Sequence, residues 1–209
     1  MKAVIFDFDG TIVDSLAGVI RVYEKVIGGN RVLTAEQRRN LQNKNLLQIA
    51  LAMGVPKWKL PFLALWGRRM FRHHMRSVQV HPGMTELIQT LHSRGVKLYV
   101  LSANRTANVE KYLGWHGLTK YFVGVYGGAS FFSKVRKMRQ LLDTESLAPK
   151  DVWCVGDEKI DVRSAHAVGM KVLAVSWGYS NKETLLEHQP EALVTEAHEI
   201  LQHLPTGGS

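Results

Sequence analysis

Ala3-Val4-Ile5-Phe6 is an uninterrupted apolar run that stops at Asp7-Phe8-Asp9-Gly10-Thr11. A strand apolar on both faces belongs inside a parallel sheet covered by a layer on each side. Its carboxyl end then opens on the crevice where open α/β sheets bind ligands. Two aspartates one residue apart follow the strand period and aim both carboxylates to the same side, an arrangement that is costly without a cation. Asp7 and Asp9 are therefore candidates to hold a metal and a reactive substrate group together. The competing reading is a solvated acidic loop, against which the strand before and the glycine after both argue.

The rest of the chain alternates. A helix carrying Leu87, Ile88 and Leu91 ends at Gly95, and Val96–Leu101 follows as a strand. Further strands are expected near Phe122–Tyr126, Asp151–Val155 and Lys171–Val175. Helices are expected near Ala107–Leu113, Lys134–Leu142, Val162–Val168 and Lys182–His188. Such alternation implies an α/β fold, a Rossmann-like parallel sheet with helices on both faces. Between Ser15 and Val80 no strand is legible. Ser15 is placed to cap a helix carrying Val19, Val22, Tyr23 and Val26 at helical spacing. Thr34 opens a second helix running to Gly54, and a third occupies roughly Lys57 to Met75. Residues 15–80 thus read as an all-helical insert over the crevice, with residues 1–14 and 81–209 forming the core.

Charge separates the same two parts. Twelve of the 27 basic side chains but only two of the 18 acidic ones lie between Ser15 and Val80. The remainder carries 15 basic and 16 acidic residues, so the whole surplus of +9 sits in the insert. A block of this kind suits an anionic partner, whether substrate, nucleic acid or membrane surface, or is simply a solvated face. No apolar stretch has the length of a membrane span, and Asp7 comes too early for a secretory signal. A membrane partner is therefore not expected. Cys154 is the sole cysteine, set in the apolar run Val152–Val155, which fits a core thiol in a reducing compartment and a cytoplasmic location. These residues specify no oligomeric state.

Polar groups recur where strands end. Ser102-Ala103-Asn104 closes the second strand, Gly156-Asp157-Glu158 closes a later one, Asp161 begins the next helix, and Lys134 opens a helix between them. Together with Asp7–Ser15, this pattern resembles the haloacid-dehalogenase-like phosphohydrolases, in the phosphoglycolate-phosphatase-like branch with a helical cap inserted after the first strand. His81-Pro82-Gly83 and Gly169-Met170 also look like that branch, and the likeness runs to about Gly178.

The resemblance implies a magnesium-dependent phosphatase acting on a small phosphorylated metabolite. Asp7 would attack phosphorus, and Asp9 would protonate the leaving alkoxide and then activate water. Mg2+ would be held by Asp7, the Asp9 main-chain carbonyl and Asp157. Thr11, Ser102, Ala103 and Lys134 would bind the phosphoryl oxygens, with Asp161 and Glu158 supporting the lysine or a metal-bound water. Lys137, one turn beyond Lys134, is the alternative phosphate-binding lysine, because Val135 stands where the family usually has proline. Asn104, Arg68, Arg69, Arg72 and Arg76 are candidate substrate contacts. His73-His74 reads as a solvated helix face, since adjacent helical residues point in different directions.

Other activities remain in view. A sugar-phosphate mutase would share the core residues, and a phosphonate-cleaving enzyme would need a cap lysine forming a Schiff base. A dehalogenase would have no use for Asp9. A non-catalytic module could grip nucleic acid through the basic block, but the complete aspartate set argues against it.

Overall fold

The computed structural model describes residues 1–27, 34, 36–37, 40–44, 46–60, 76, 78–129 and 133–204. Its strands are β1 (Ala3–Phe6), β2 (Lys97–Leu101), β3 (Gly124–Tyr126), β4 (Val152–Gly156), β5 (Lys171–Val175) and β6 (Ala192–Val194). They form one sheet in the order β3-β2-β1-β4-β5-β6, parallel at every pairing. The helices are α1 (Ser15–Ile27), α2 (Leu46–Ala52), α3 (Met84–Ser93), α4 (Thr106–Trp115), α5 (Lys134–Thr144), α6 (Lys159–Ala167), α7 (Lys182–Leu186) and α8 (Ile200–His203).

Alternation within each strand sorts the core into two layers. Val4, Phe6, Leu98, Val100, Val155 and Leu173 pack with Leu87, Ile88 and Leu91 of α3 and with Val109, Tyr112 and Leu113 of α4. Ile5, Tyr99, Leu101, Cys154 and Val172 face the other way, against Met138, Leu141 and Leu142 of α5 and Val162 and Ala165 of α6. Each such aliphatic side chain taken fully out of water contributes about 1.5–3 kcal/mol, so the two faces together fix the sheet. A third cluster joins Leu16, Val19 and Ile20 of α1 to Ile49 and Ala50 of α2, with Leu41, Met53 and Val55.

The chain leaves the core for this third cluster and returns at one place. Val13 pairs with Val80, the Asp14 amide donates to the Gln79 carbonyl at 3.1 Å, and the His81 amide donates to the Ile12 carbonyl at 2.8 Å. Tyr112 anchors the return by donating its hydroxyl to the Val78 carbonyl at 2.9 Å.

Three expectations need correction. Asp14, not Ser15, caps α1, accepting from the Ala17 amide at 3.1 Å. The single helix from Thr34 to Gly54 is interrupted. Thr34 does open a helical turn, its hydroxyl accepting from the Gln37 amide, but Asn40–Asn43 form a turn before α2 begins. There Asn43 adopts φ 60° and its amide donates to the Tyr179 carbonyl at 2.6 Å. Bonds to the core override local helical preference, at a residue type that tolerates the left-handed region. Finally, β6 and α8 extend the fold beyond the expected elements. The proposed third helix lies largely outside the described residues; within them, Lys57–Lys59 is a single 3-10 turn.

Candidate active site

Register brings the polar groups together. Phe6 of β1 lies level with Val100 of β2 and Val155 of β4, so Asp7, Ser102 and Asp157 all emerge from the same edge of the sheet. β1 and β4 also flank the point where the chain order reverses, the expected ligand crevice of such sheets. Between the two aspartates, Phe8 is buried edge-on against Tyr112, with centroids 5.3 Å apart, and pins the intervening backbone.

Asp7 is only 8% exposed, and its Oδ1 accepts from Lys134 Nζ at 2.6 Å. Lys134, the first residue of α5, is itself buried and also pairs with Asp161 Oδ1. The other Asp161 oxygen accepts from the Glu158 amide at 2.9 Å and so closes a capping box at the start of α6. Asp161 therefore does two jobs: it closes the capping box of its helix and fixes the lysine. Lys134 rather than Lys137 is the lysine at Asp7.

Electrostatics here are dominated by burial. Burial pushes Asp7 up to about 8 against the opposing pull of Lys134. Asp9 is pushed by burial up to about 6, with Asn104 and Ser15 acting the other way. Asp157 is raised well above the usual carboxylate range by burial and then by the charge of Asp7. Burial would lower Lys134, but Asp161 and Asp7 more than offset it and hold the ammonium well above its ordinary value.

On β2, Ser102 is buried and its Oγ accepts from the Asn104 amide at 2.9 Å, which leaves the hydroxyl hydrogen free to donate elsewhere. Ala103 is exposed at the same edge. Asn104 extends its amide toward Asp9 Oδ2 at 3.4 Å. Thr11 is turned inward: its hydroxyl donates to Asp157 Oδ1 at 2.8 Å and its amide faces the Phe8 carbonyl at 3.4 Å. Glu158 is raised by burial and by Asp161. Arg76 is exposed, whereas Arg68, Arg69, Arg72, His73 and His74 lie outside the described residues. Cys154 is buried under the sheet, and burial holds its thiol well above its ordinary value, as a core residue requires.

The sequence reading missed the segment after β5. Tyr179 donates its amide to Asp157 Oδ2 at 2.7 Å, and Trp177 donates its indole N–H to the Thr11 carbonyl at 3.1 Å. A Cβ at Gly178 or Gly10 would collide with the Asp157 carboxylate, and Gly10 also sits at φ 88°. A glycine between two aromatics just past a strand end was the available signal.

Among the described residues, no three Asp, Glu, His or Cys side chains converge closely enough to hold a metal as they stand. The donor chemistry nevertheless fits a hard cation. Asp7, Asp9 and Asp157 are oxygen donors whose charged forms burial disfavours, a cost that a bound cation would offset, and both Asp157 oxygens keep lone pairs beyond those used by Thr11 and Tyr179.

The profile of the haloacid dehalogenase-like hydrolases matches residues 4–175. A phosphoglycolate phosphatase of Synechococcus elongatus is 32% identical over 204 residues, covering 97% of this chain and 96% of that protein. One from Vibrio parahaemolyticus is 25% identical, covering 97% and 95%. A solved haloacid dehalogenase-like hydrolase of Streptococcus pneumoniae superposes with a TM-score of 0.75 at 25% identity, covering 97% of this chain and 98% of that one. With three strand-end motifs brought to one edge of the sheet, Lys134 paired to the first of them, and this match across most of its length, the chain belongs to the haloacid dehalogenase-like hydrolase family.

Proposed function

We propose that the protein is a Mg2+-dependent phosphatase that hydrolyses a small anionic phosphate monoester through an aspartyl phosphate on Asp7. A phosphorylated carboxylic acid of the phosphoglycolate kind is the substrate class, on the strength of the relatives that carry that name. The observation that carries the reading is the buried Asp7 carboxylate at the end of β1, paired with Lys134 and flanked by Asp9.

Asp7, Asp9 through its main-chain carbonyl, and Asp157 would hold the magnesium ion, which supplies the positive charge that lets a phosphate dianion approach two carboxylates. An Asp7 oxygen forms the new bond to phosphorus as the bond to the leaving oxygen breaks, and Asp9 gives that oxygen its proton. Asp9 then takes a proton from the water that attacks phosphorus, freeing Asp7 and inorganic phosphate. An Asp9 value near 6 suits both directions of transfer, because a catalytic acid-base works best close to the operating pH. Ser102 donates its free hydroxyl hydrogen to a phosphoryl oxygen, and Lys134 neutralises charge that builds on the others, held in place by Asp161.

Residues 15–80 act as the cap and residues 1–14 with 81–209 as the catalytic core, hinged near Asp14-Ser15 and His81-Pro82. The paired crossings at Val13 and Val80 support that division. Arg76 and the other basic residues of the cap attract the anionic substrate. Among the described residues no helix is long and apolar enough to cross a membrane; the buried, unpaired Cys154 suits the cytoplasm. The test is turnover of p-nitrophenyl phosphate: activity should appear with Mg2+, vanish with chelator, and vanish in Asp7→Asn.

A further inference from the structure

One peptide unit joins the cap to Asp157. The carbonyl of Gly178 accepts from Gln42 Nε2 at 2.8 Å, and the next atom along the chain, the Tyr179 amide nitrogen, donates to Asp157 Oδ2 at 2.7 Å. Gln42 Nε2 also reaches the Ser176 carbonyl at 3.2 Å. Both partners are carbonyl oxygens, so only the NH2 end of Gln42 can face them.

The peptide plane is rigid and trans, so its C=O and N–H turn together. A bond that fixes the carbonyl therefore fixes the direction of the amide hydrogen. Polarisation adds to this, since a carbonyl that accepts a hydrogen bond makes its own N–H a stronger donor. The surroundings leave the plane little choice. No side chain fits at Gly178, the Ser180 amide faces the Asp157 carbonyl at 3.3 Å, and Trp177 is anchored on Thr11 and stacked on His81 with centroids 4.3 Å apart.

We infer that Gln42 is a positioning residue: by holding the Gly178–Tyr179 peptide it sets the orientation of the Asp157 carboxylate, and so couples docking of the cap to the affinity of the core for its divalent cation. The inference rests on the phosphatase reading for the cation, but the contact chain stands on its own bonds. It differs from a general docking role, for which the neighbouring Asn43 is the control. The Asn43 side chain bonds the Asn181 amide at 3.1 Å and the Thr184 hydroxyl at 3.1 Å without touching the Gly178–Tyr179 peptide; its main-chain amide bonds the Tyr179 carbonyl from φ 60°, so glycine is the replacement that removes the side chain and keeps that backbone bond.

Calorimetric titration of Mg2+ into metal-free protein, with the amide proton shift of Tyr179 followed by NMR, tests it. Gln42→Ala should raise the Mg2+ dissociation constant roughly threefold to tenfold, the size of one neutral hydrogen bond, and move the Tyr179 amide proton upfield. Asn43→Gly should change that constant by less than about twofold, within the range of a solvated side-chain contact, and leave the Tyr179 shift in place. Wild-type Mg2+ affinity in Gln42→Ala, or an equal loss in Asn43→Gly, overturns the coupling while the phosphatase reading survives. A wild-type protein that neither binds Mg2+ nor hydrolyses p-nitrophenyl phosphate overturns both.

Discussion

The sheet and the segment of residues 15–80 are held by different means. Each face of the sheet buries a continuous apolar layer and ties neighbouring strands through parallel ladders, and the charged groups stand only where strands stop. Among the described residues, the segment 15–80 has one small apolar cluster, against which Tyr179 packs, leaves Leu47, Leu51 and Trp58 exposed, and meets the core through amide bonds from Gln42 and Asn43. Rigid scaffolding thus carries the groups that must be held closely, while the described part of residues 15–80 meets it through packing at Tyr179 and a few polar bonds.

Experiments that break this contrast begin at the strand ends. Asp7→Asn should abolish turnover to background without loss of folded protein, because the amide is nearly the same size and lacks only the nucleophilic oxygen charge. Asp9→Asn should lower kcat by about 10²–10⁴-fold, the ordinary contribution of one acid-base group. The pH profile sharpens that result. Protonated Asp9 is the form that serves the leaving group and ionised Asp7 the form that attacks, so the high-pH limb of kcat/KM for an alkyl phosphate should report loss of the Asp9 proton, and Asp9→Asn should flatten that limb alone.

Packing changes come next in size. Ile88→Ala, in the layer beneath the sheet, should cost about 2–5 kcal/mol of global stability by denaturant unfolding. Native-state hydrogen exchange should show α2 opening below the global free energy, whereas β1 amides exchange only through full unfolding. Equal protection of both would remove the contrast. The smallest effect is expected at Arg76, an exposed basic residue of the segment 15–80. Arg76→Glu should lower kcat/KM for anionic substrates by a few-fold at low salt, with the difference shrinking as ionic strength rises. A salt-independent value would reduce the basic surplus to a solvated face.

Much of this was legible in the residues because parallel strands announce themselves: Ala3–Phe6, Val152–Val155 and Val172–Val175 are apolar runs that only a two-sided sheet explains. Ala192–Val194 was not, since three residues carry no period and β6 exists through pairing with β5. The break at Asn40–Asn43 was hidden for a related reason. Apolar spacing continues through it, and the bonds that interrupt the helix come from residues more than 130 positions away. At the site, carboxylates, Ser102 and Lys134 stood out by type and place. Trp177-Gly178-Tyr179 did not, because its contributions to Thr11 and Asp157 are made by backbone amides and an indole rather than by a reactive side chain.

The central claim is covalent capture of the phosphoryl group by Asp7. Quenching the enzyme during turnover, reducing with borohydride and mapping peptides by mass spectrometry should find homoserine at position 7, the reduction product of an aspartyl phosphate. Turnover with an unmodified position 7, or with the reduced residue elsewhere in the chain, would contradict it.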